Sequence, residues 1–186
     1  MGLIPFLDVN EEANLPTFVS GLLWIWTGMA MAVLARHRAT GILRWAWTTW
    51  AAIAGYLAFD ELFSVHEQWK SMGTQLSQSL FGAVPYFAWI LVAIMPVIGV
   101  GLFSMAVIRR LDQALRLRLL LAGICFVAGA LGLEFVEGEW ANAHGRDLVF
   151  HTIVLVEELL EMTAVLLALR ACLLELRRLE FRVGLR

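Results

Sequence analysis

The chain has 186 residues, of which 60% are hydrophobic and 16% charged, and its formal net charge is −2. Its length suits one domain, and so much apolar surface on so small a protein excludes an ordinary soluble globule. The near-neutral charge gives no electrostatic footprint for nucleic acid. Cys125 and Cys172, far apart inside apolar runs, offer no disulfide framework, zinc knuckle or haem-attachment motif.

A bilayer core needs about 20 apolar residues as a helix. The first such run covers residues 15–35, where Asn14 followed by Pro16 reads as a helix start. No basic leader precedes it, so a cleavable signal is not expected, and Phe6 argues against myristoylation of Gly2. The second run covers residues 45–67. In residues 68–80, Trp69, Met72, Leu76 and Leu80 recur at helical spacing among polar residues, which predicts an amphipathic helix on the outer membrane surface. The third run, 85–108, has no acid or base before its end, and Pro96 predicts a kink. The fourth covers 119–139, with Ala128 and Gly132 spaced for close helix contact and Gly99 and Gly101 in the third run for the same use. The fifth covers 148–176. No internal repeat is evident. The expected fold is all-α: one integral membrane bundle, residues 1–186, of about five transmembrane helices.

Basic residues orient it. With five spans, the first and third connections and the C-terminus share a side. That side holds Arg36, Arg38, Arg44, Arg109, Arg110, Arg116, Arg118, Arg170, Arg177, Arg178, Arg182 and Arg186, leaving only Lys70 and Arg146 elsewhere. It is therefore expected to be cytoplasmic, with the N-terminus outside.

Carboxylates carry the functional signal. The second run ends in Asp60, Glu61, His66 and Glu67; the fourth in Glu134, Glu137 and Glu139; the fifth holds His151, Glu157, Glu158 and Glu161. An ionised group deep in a bilayer costs roughly 2.5–3.5 kcal/mol or more. Few basic side chains are near, so protons or metal cations must neutralise the set. At helical spacing Asp60, Ser64 and Glu67 share one face, and His151, Glu158 and Glu161 another. Expected metal ligands are Asp60 or Glu61, His66, Glu67, Glu134, Glu137, His151, Glu158 and Glu161, with Glu157 and Ser64 supporting them from behind. Such a ligand mix resembles soluble di-iron bundles in its chemistry, but their Glu-x-x-His pairs are missing here. Glu139, His37 and His144 read as solvated surface groups, and most tryptophans as packing or interface anchors.

The D-E-x-x-x-x-H-E run at Asp60–Glu67 and the E-E-x-x-E-M run at Glu157–Met162 resemble a group of uncharacterised bacterial multipass membrane proteins. The resemblance covers spans two to five. It implies a shared polar site and a bacterial inner membrane, and adds no reaction.

The leading expectation is a membrane metalloprotein with one or two ions near the outer leaflet. Oxygen and nitrogen donors favour iron slightly over zinc or manganese. With iron, the reaction would be oxidation of a lipid-soluble substrate or quinone; with zinc, hydrolysis of a lipid bond. The alternative is a noncatalytic subunit of a larger membrane complex or a homo-oligomer, with structural carboxylates. A b-type haem between His66 and His151 is a weaker reading, since it would not need eight carboxyls. A proton or cation transporter fits poorly, because residues 45–59 and 119–133 contain no acid and no base beyond the outer clusters.

Overall fold

The computed structural model describes residue 7 and residues 14–37, 41–81 and 90–183. Helix α1, Leu15–His37, begins at Asn14, whose Oδ1 accepts the Thr17 N–H at 3.1 Å. Pro16 is tolerated in this first turn, where the N–H groups have no intrahelical partner. Gly41, at φ 79°, leads into α2, Ile42–Phe63. After the single residue Ser64 the chain enters α3, Val65–Phe81. Helix α4, Ile90–Ile108, contains Pro96. Asp112 then caps α5, Gln113–Val127, by accepting the Leu115 N–H at 3.3 Å. The same rod widens into a π-helical turn, Ala128–Leu133, and continues as α6, Glu134–His144. A last long helix, α7, spans Leu148–Val183. Among the described residues there is no strand.

By length and composition two helices can cross a membrane: α1 and the continuous rod Gln113–His144. Val92–Ile108 is a shorter apolar helix. Glu157, Glu158 and Glu161 interrupt the apolar run of α7, and α2 is enriched in Trp and Thr.

Helix α1 packs against α2 and α7, and α5 with the π turn packs on α7. Leu34, Trp47, Val107, Leu115, Val165 and Cys172 form the centre of this core. Trp24 meets Phe126 edge-on at 5.2 Å, and the Trp50 indole N–H donates to Ser104 Oγ at 3.0 Å. The outward faces are apolar as well: Trp45 and Met95 are each 71% exposed and Leu102 69%. Surface of this kind needs an apolar surrounding or a partner.

Three local expectations change. The second run does not continue as one helix to residue 67: it stops at Phe63, because Ser64 adopts φ 52°, in the left-handed region. The helix expected over 68–80 therefore begins at Val65; it exposes Met72, Leu76 and Leu80 while Gly73 and Ser77 are buried. Close helix contact falls on Gly129 rather than on Ala128 or Gly132. A Cβ on Gly129 would stand 3.2 Å from the Glu157 carbonyl oxygen, whereas at Gly99 and Gly101 it would meet nothing within 4 Å among the described residues. Residues 85–89 of the third expected span lie outside the described residues.

Gly28 sets the approach of α1 to α2. A Cβ there would lie 3.3 Å from the Ala51 carbonyl oxygen and 3.4 Å from the Ala54 Cβ. Gly28→Leu is expected to cost roughly 1–3 kcal/mol by overpacking and to lower the melting temperature of the detergent-solubilised protein. Gly55→Ala, where the added methyl meets nothing within 4 Å among the described residues, is expected to be neutral or stabilising in the same melt.

Candidate functional site

The site is built from the C-terminal end of α2, the start of α6 and the N-terminal half of α7. On α2, the Asp60 carboxylate reaches across the Ser64 break. Its Oδ1 accepts the His66 backbone N–H at 2.7 Å and its Oδ2 lies 3.2 Å from His66 Nδ1. A carboxylate at the first turn of α3 satisfies orphan N–H groups and complements the helix dipole. Asp60 and His66 are thus committed to each other, and Ser64 is the turn between helices rather than a member of their common face. Trp69 stacks on Tyr56 at 6.1 Å, so α3 leaves the line of α2 sharply. The Glu67 side chain lies outside what the structure describes.

On α7 the inward stripe follows the buried residues Phe150, Val154, Glu157, Ala164, Ala168, Ala171 and Glu175, with Glu161 partly buried on the same line. Apolar burial, not the position of the histidine, sets this phase. Glu157 is only 6% exposed and is the most enclosed carboxylate of this cluster, although its place off the His151 stripe pointed to a peripheral role. His151 stands about 120° round the helix from Glu157. It is exposed, with its ring edge-on to Phe150 at 5.3 Å, and is not brought to the carboxylates.

Glu134 and Glu137 on α6 face this stripe. Glu137 hydrogen-bonds to Glu157, and Glu134 lies within electrostatic reach of both Glu157 and Glu161. From α2, Glu61 and Asp60 lie within reach of Glu161, as does Glu158 from the same helix. Three helices therefore bring Glu134, Glu137 and Glu161 to Glu157, and Asp60, Glu61, Glu134 and Glu158 to Glu161. Glu139 is exposed, as expected of a solvated group. Two carboxyl groups in hydrogen-bond contact need a proton between them, since both oxygens of an ionised carboxylate only accept. The second oxygen of Glu157, Oε2, is buried and meets no hydrogen-bond donor among the described residues. Also among them, no three His, Cys, Asp or Glu groups are gathered tightly enough to hold a metal ion as they stand.

Sequence reasoning missed the π turn, which lies immediately before Glu134. Its signal was the small-residue run Ala128, Gly129, Ala130, Gly132 just ahead of the acids. π turns inside α-helices recur at functional sites.

The family is shown by the sequence. The chain belongs to the family described as "Domain of unknown function (DUF8692)", which it matches over residues 1–176. The matched stretch contains all the carboxylates gathered at the site. No curated protein and no solved structure matches the chain.

Asp147 holds the α6–α7 hairpin beside the site. Its Oδ1 accepts the Phe150 N–H at 3.0 Å, capping α7, and the Trp140 indole N–H at 2.9 Å, tying in α6. The Phe150 N–H and the Trp140 indole hold the Asp147 carboxyl below its ordinary range. A depressed folded-state value adds stability above the unfolded value, and this is lost as pH falls through the folded one. Melting temperatures of the detergent-solubilised protein are therefore expected to fall between about pH 5 and pH 3, and by less in Asp147→Asn, which keeps a capping oxygen without the titration. Equal falls in both proteins would show that Asp147 contributes nothing to acid sensitivity.

Proposed function

We propose that the chain is a five-span protein of a bacterial inner membrane, N-terminus outside, and that its outer-leaflet carboxylate pocket takes up metal cations. The observation that carries the site is Glu157: a nearly sealed carboxyl group, facing Glu134, Glu137 and Glu161, with one oxygen that meets no donor among the described residues. A cation supplies what that oxygen lacks and relieves the mutual repulsion of its neighbours. The apolar exterior of α1, α4 and the Gln113–His144 rod supports the membrane setting, and the one-sided distribution of arginines supports the orientation.

Oxygen-rich donors fit a hard, bridged pair of ions, with iron favoured slightly over zinc or manganese. Oxidation of a lipid-soluble substrate or quinone is the reaction this site would serve, and zinc-dependent lipid hydrolysis is its counterpart with the other metal. Side chains must rotate to close on an ion, because no three donors already stand in coordinating positions among the described residues. That same observation favours the second reading, a noncatalytic subunit or homo-oligomer in which Glu137 and Glu157 share a proton and no ion is bound.

Elemental analysis of the detergent-purified protein separates the two. The metal reading expects about one or two ions per chain, lost in Glu137→Ala and Glu157→Gln and kept in Glu139→Ala. A parent without stoichiometric metal, with Glu137→Ala and Glu157→Gln as stable as the parent, leaves the subunit reading in its place.

Topology is tested separately. Cysteines introduced in the loop around Arg109 and Arg110, or beside Arg182, are expected to resist membrane-impermeant maleimide added outside intact cells. Labelling at either position without permeabilisation would overturn the five-span orientation.

A further inference from the structure

The inward face of α5 repeats at Leu115 and Ala122 and continues to Gly129, all buried. Steps of seven residues drift by only about 20° on a straight α-helix, so these three form one stripe. Counting roughly 100° per residue from Ala122 in that stripe, an uninterrupted α-helix would place Glu134 about 120° and Glu137 about 60° round, off the centre of the face that meets α7. Gly138, which is buried, would stand about 160° away. The observed positions differ, because Glu137 bonds Glu157 and Glu134 faces Glu157 and Glu161.

The π turn accounts for the difference. A wide turn absorbs one residue without advancing the helix phase, which removes about 100° and leaves Glu134 and Glu137 on either side of the stripe, at about 20° and 40° from it. It sits at Ala128–Leu133, where α7 packs closely: a Cβ on Gly129 would lie 2.9 Å from Glu161 Cγ and 3.4 Å from Leu160 Cβ. We infer that the π turn at Ala128–Leu133 is the positioning element of the pocket, rotating Glu134 and Glu137 onto Glu157 while Gly129 lets α7 approach. Leu131 and its neighbours touch no reacting atom; they act through the phase of the helix that follows. The inference deepens the cation-pocket reading and rests on it for its purpose, but the rotation is testable without metal.

The test uses the full-length protein in native membranes and a short bifunctional thiosulfonate cross-linker, with Cys125 and Cys172 alone as background. Glu137→Cys with Glu157→Cys is expected to cross-link in the otherwise native chain. Deleting Ala130 removes the absorbed residue and leaves a plain α-helix in the same phase, so the cross-link is expected to persist. Inserting one alanine between Leu131 and Gly132 turns Glu137 by about 100°, and the yield is expected to fall about tenfold. Gly28→Cys with Ala54→Cys, whose Cβ positions are 3.4 Å apart, reports folding in each background. Undiminished cross-linking after the insertion, or its loss after the deletion while the folding pair still links, overturns the inference. If the insertion also abolishes the folding pair, the deletion arm decides alone. With the glutamates intact, metal content is expected to survive the deletion and be lost with the insertion. A parent that cross-links as expected but holds no metal sinks the cation reading and leaves the positioning role standing.

Discussion

The carboxylate end of the bundle depends on how closely α7 approaches Gly129. The Glu157 carbonyl oxygen lies 3.2 Å from where a side chain at position 129 would begin, closer than an ordinary contact, so a side chain there would push the helices apart. That approach seals Glu157 between helices, and a sealed carboxyl group needs a proton, a cation or donors. Glu137 meets one of its oxygens and no donor meets the other among the described residues. The neighbouring features then make sense as supports. Asp147 fixes the α6–α7 turn above the pocket, and the Asp60–His66 pair fixes the α2–α3 turn beside it.

The other end of the bundle treats its acids differently. Arg178 lies 2.8 Å from Asp112 and 3.8 Å from Glu175, so a guanidinium stands between the cap of α5 and the buried carboxylate of α7. These are ordinary structural roles: a helix cap, a loop tie and a matched charge. The contrast gives the cluster around Glu157 its weight. Both ends bury a glutamate on the same stripe of α7, yet the arginines gather almost wholly at the end of Glu175. On the proposed topology a cation at the outer end would take the place that Arg178 fills at the inner one.

Much of this organisation was legible in the sequence, for reasons that can be named. Long apolar runs gave the helices, the Asn14 start was readable from its capping chemistry, and acids at the ends of three runs pointed to one another across the bundle. What failed was phase. Ser64 ends α2 with a positive φ, which nothing in its residue type demands, so a stripe drawn from Asp60 through Glu67 crossed a turn. Taking His151 as the anchor of α7 put Glu157 at the side, whereas the alternation of Phe150, Val154, Ala164 and Ala168 puts it at the centre. The π turn shifted α6 in the same hidden way. Each error is a rotation of about 100° or a change of helix axis, which leaves the list of acidic residues intact while changing which of them meet.

The depth of the pocket also limits what it can do. Below Glu161 the stripe of α7 runs through Ala164, Val165, Ala168, Ala171 and Cys172, all buried, before the next acid at Glu175. That is about 20 Å of helix without a titratable carboxylate or a basic group on its inward face. Small side chains there let α7 lie tight against α1 and α5, in the part of the core that also holds Leu34, Trp47 and Val107. A proton or ion crossing the bundle would need polar stations at intervals through that layer. The inward face of α7 provides none over this stretch; the polar groups of the same core include Thr27 and the indoles of Trp47 and Trp50, the latter bonded to Ser104. On the proposed reading, a cation held at Glu157 would enter and leave on the side where Glu134 and Glu137 stand, which suits a resident ion.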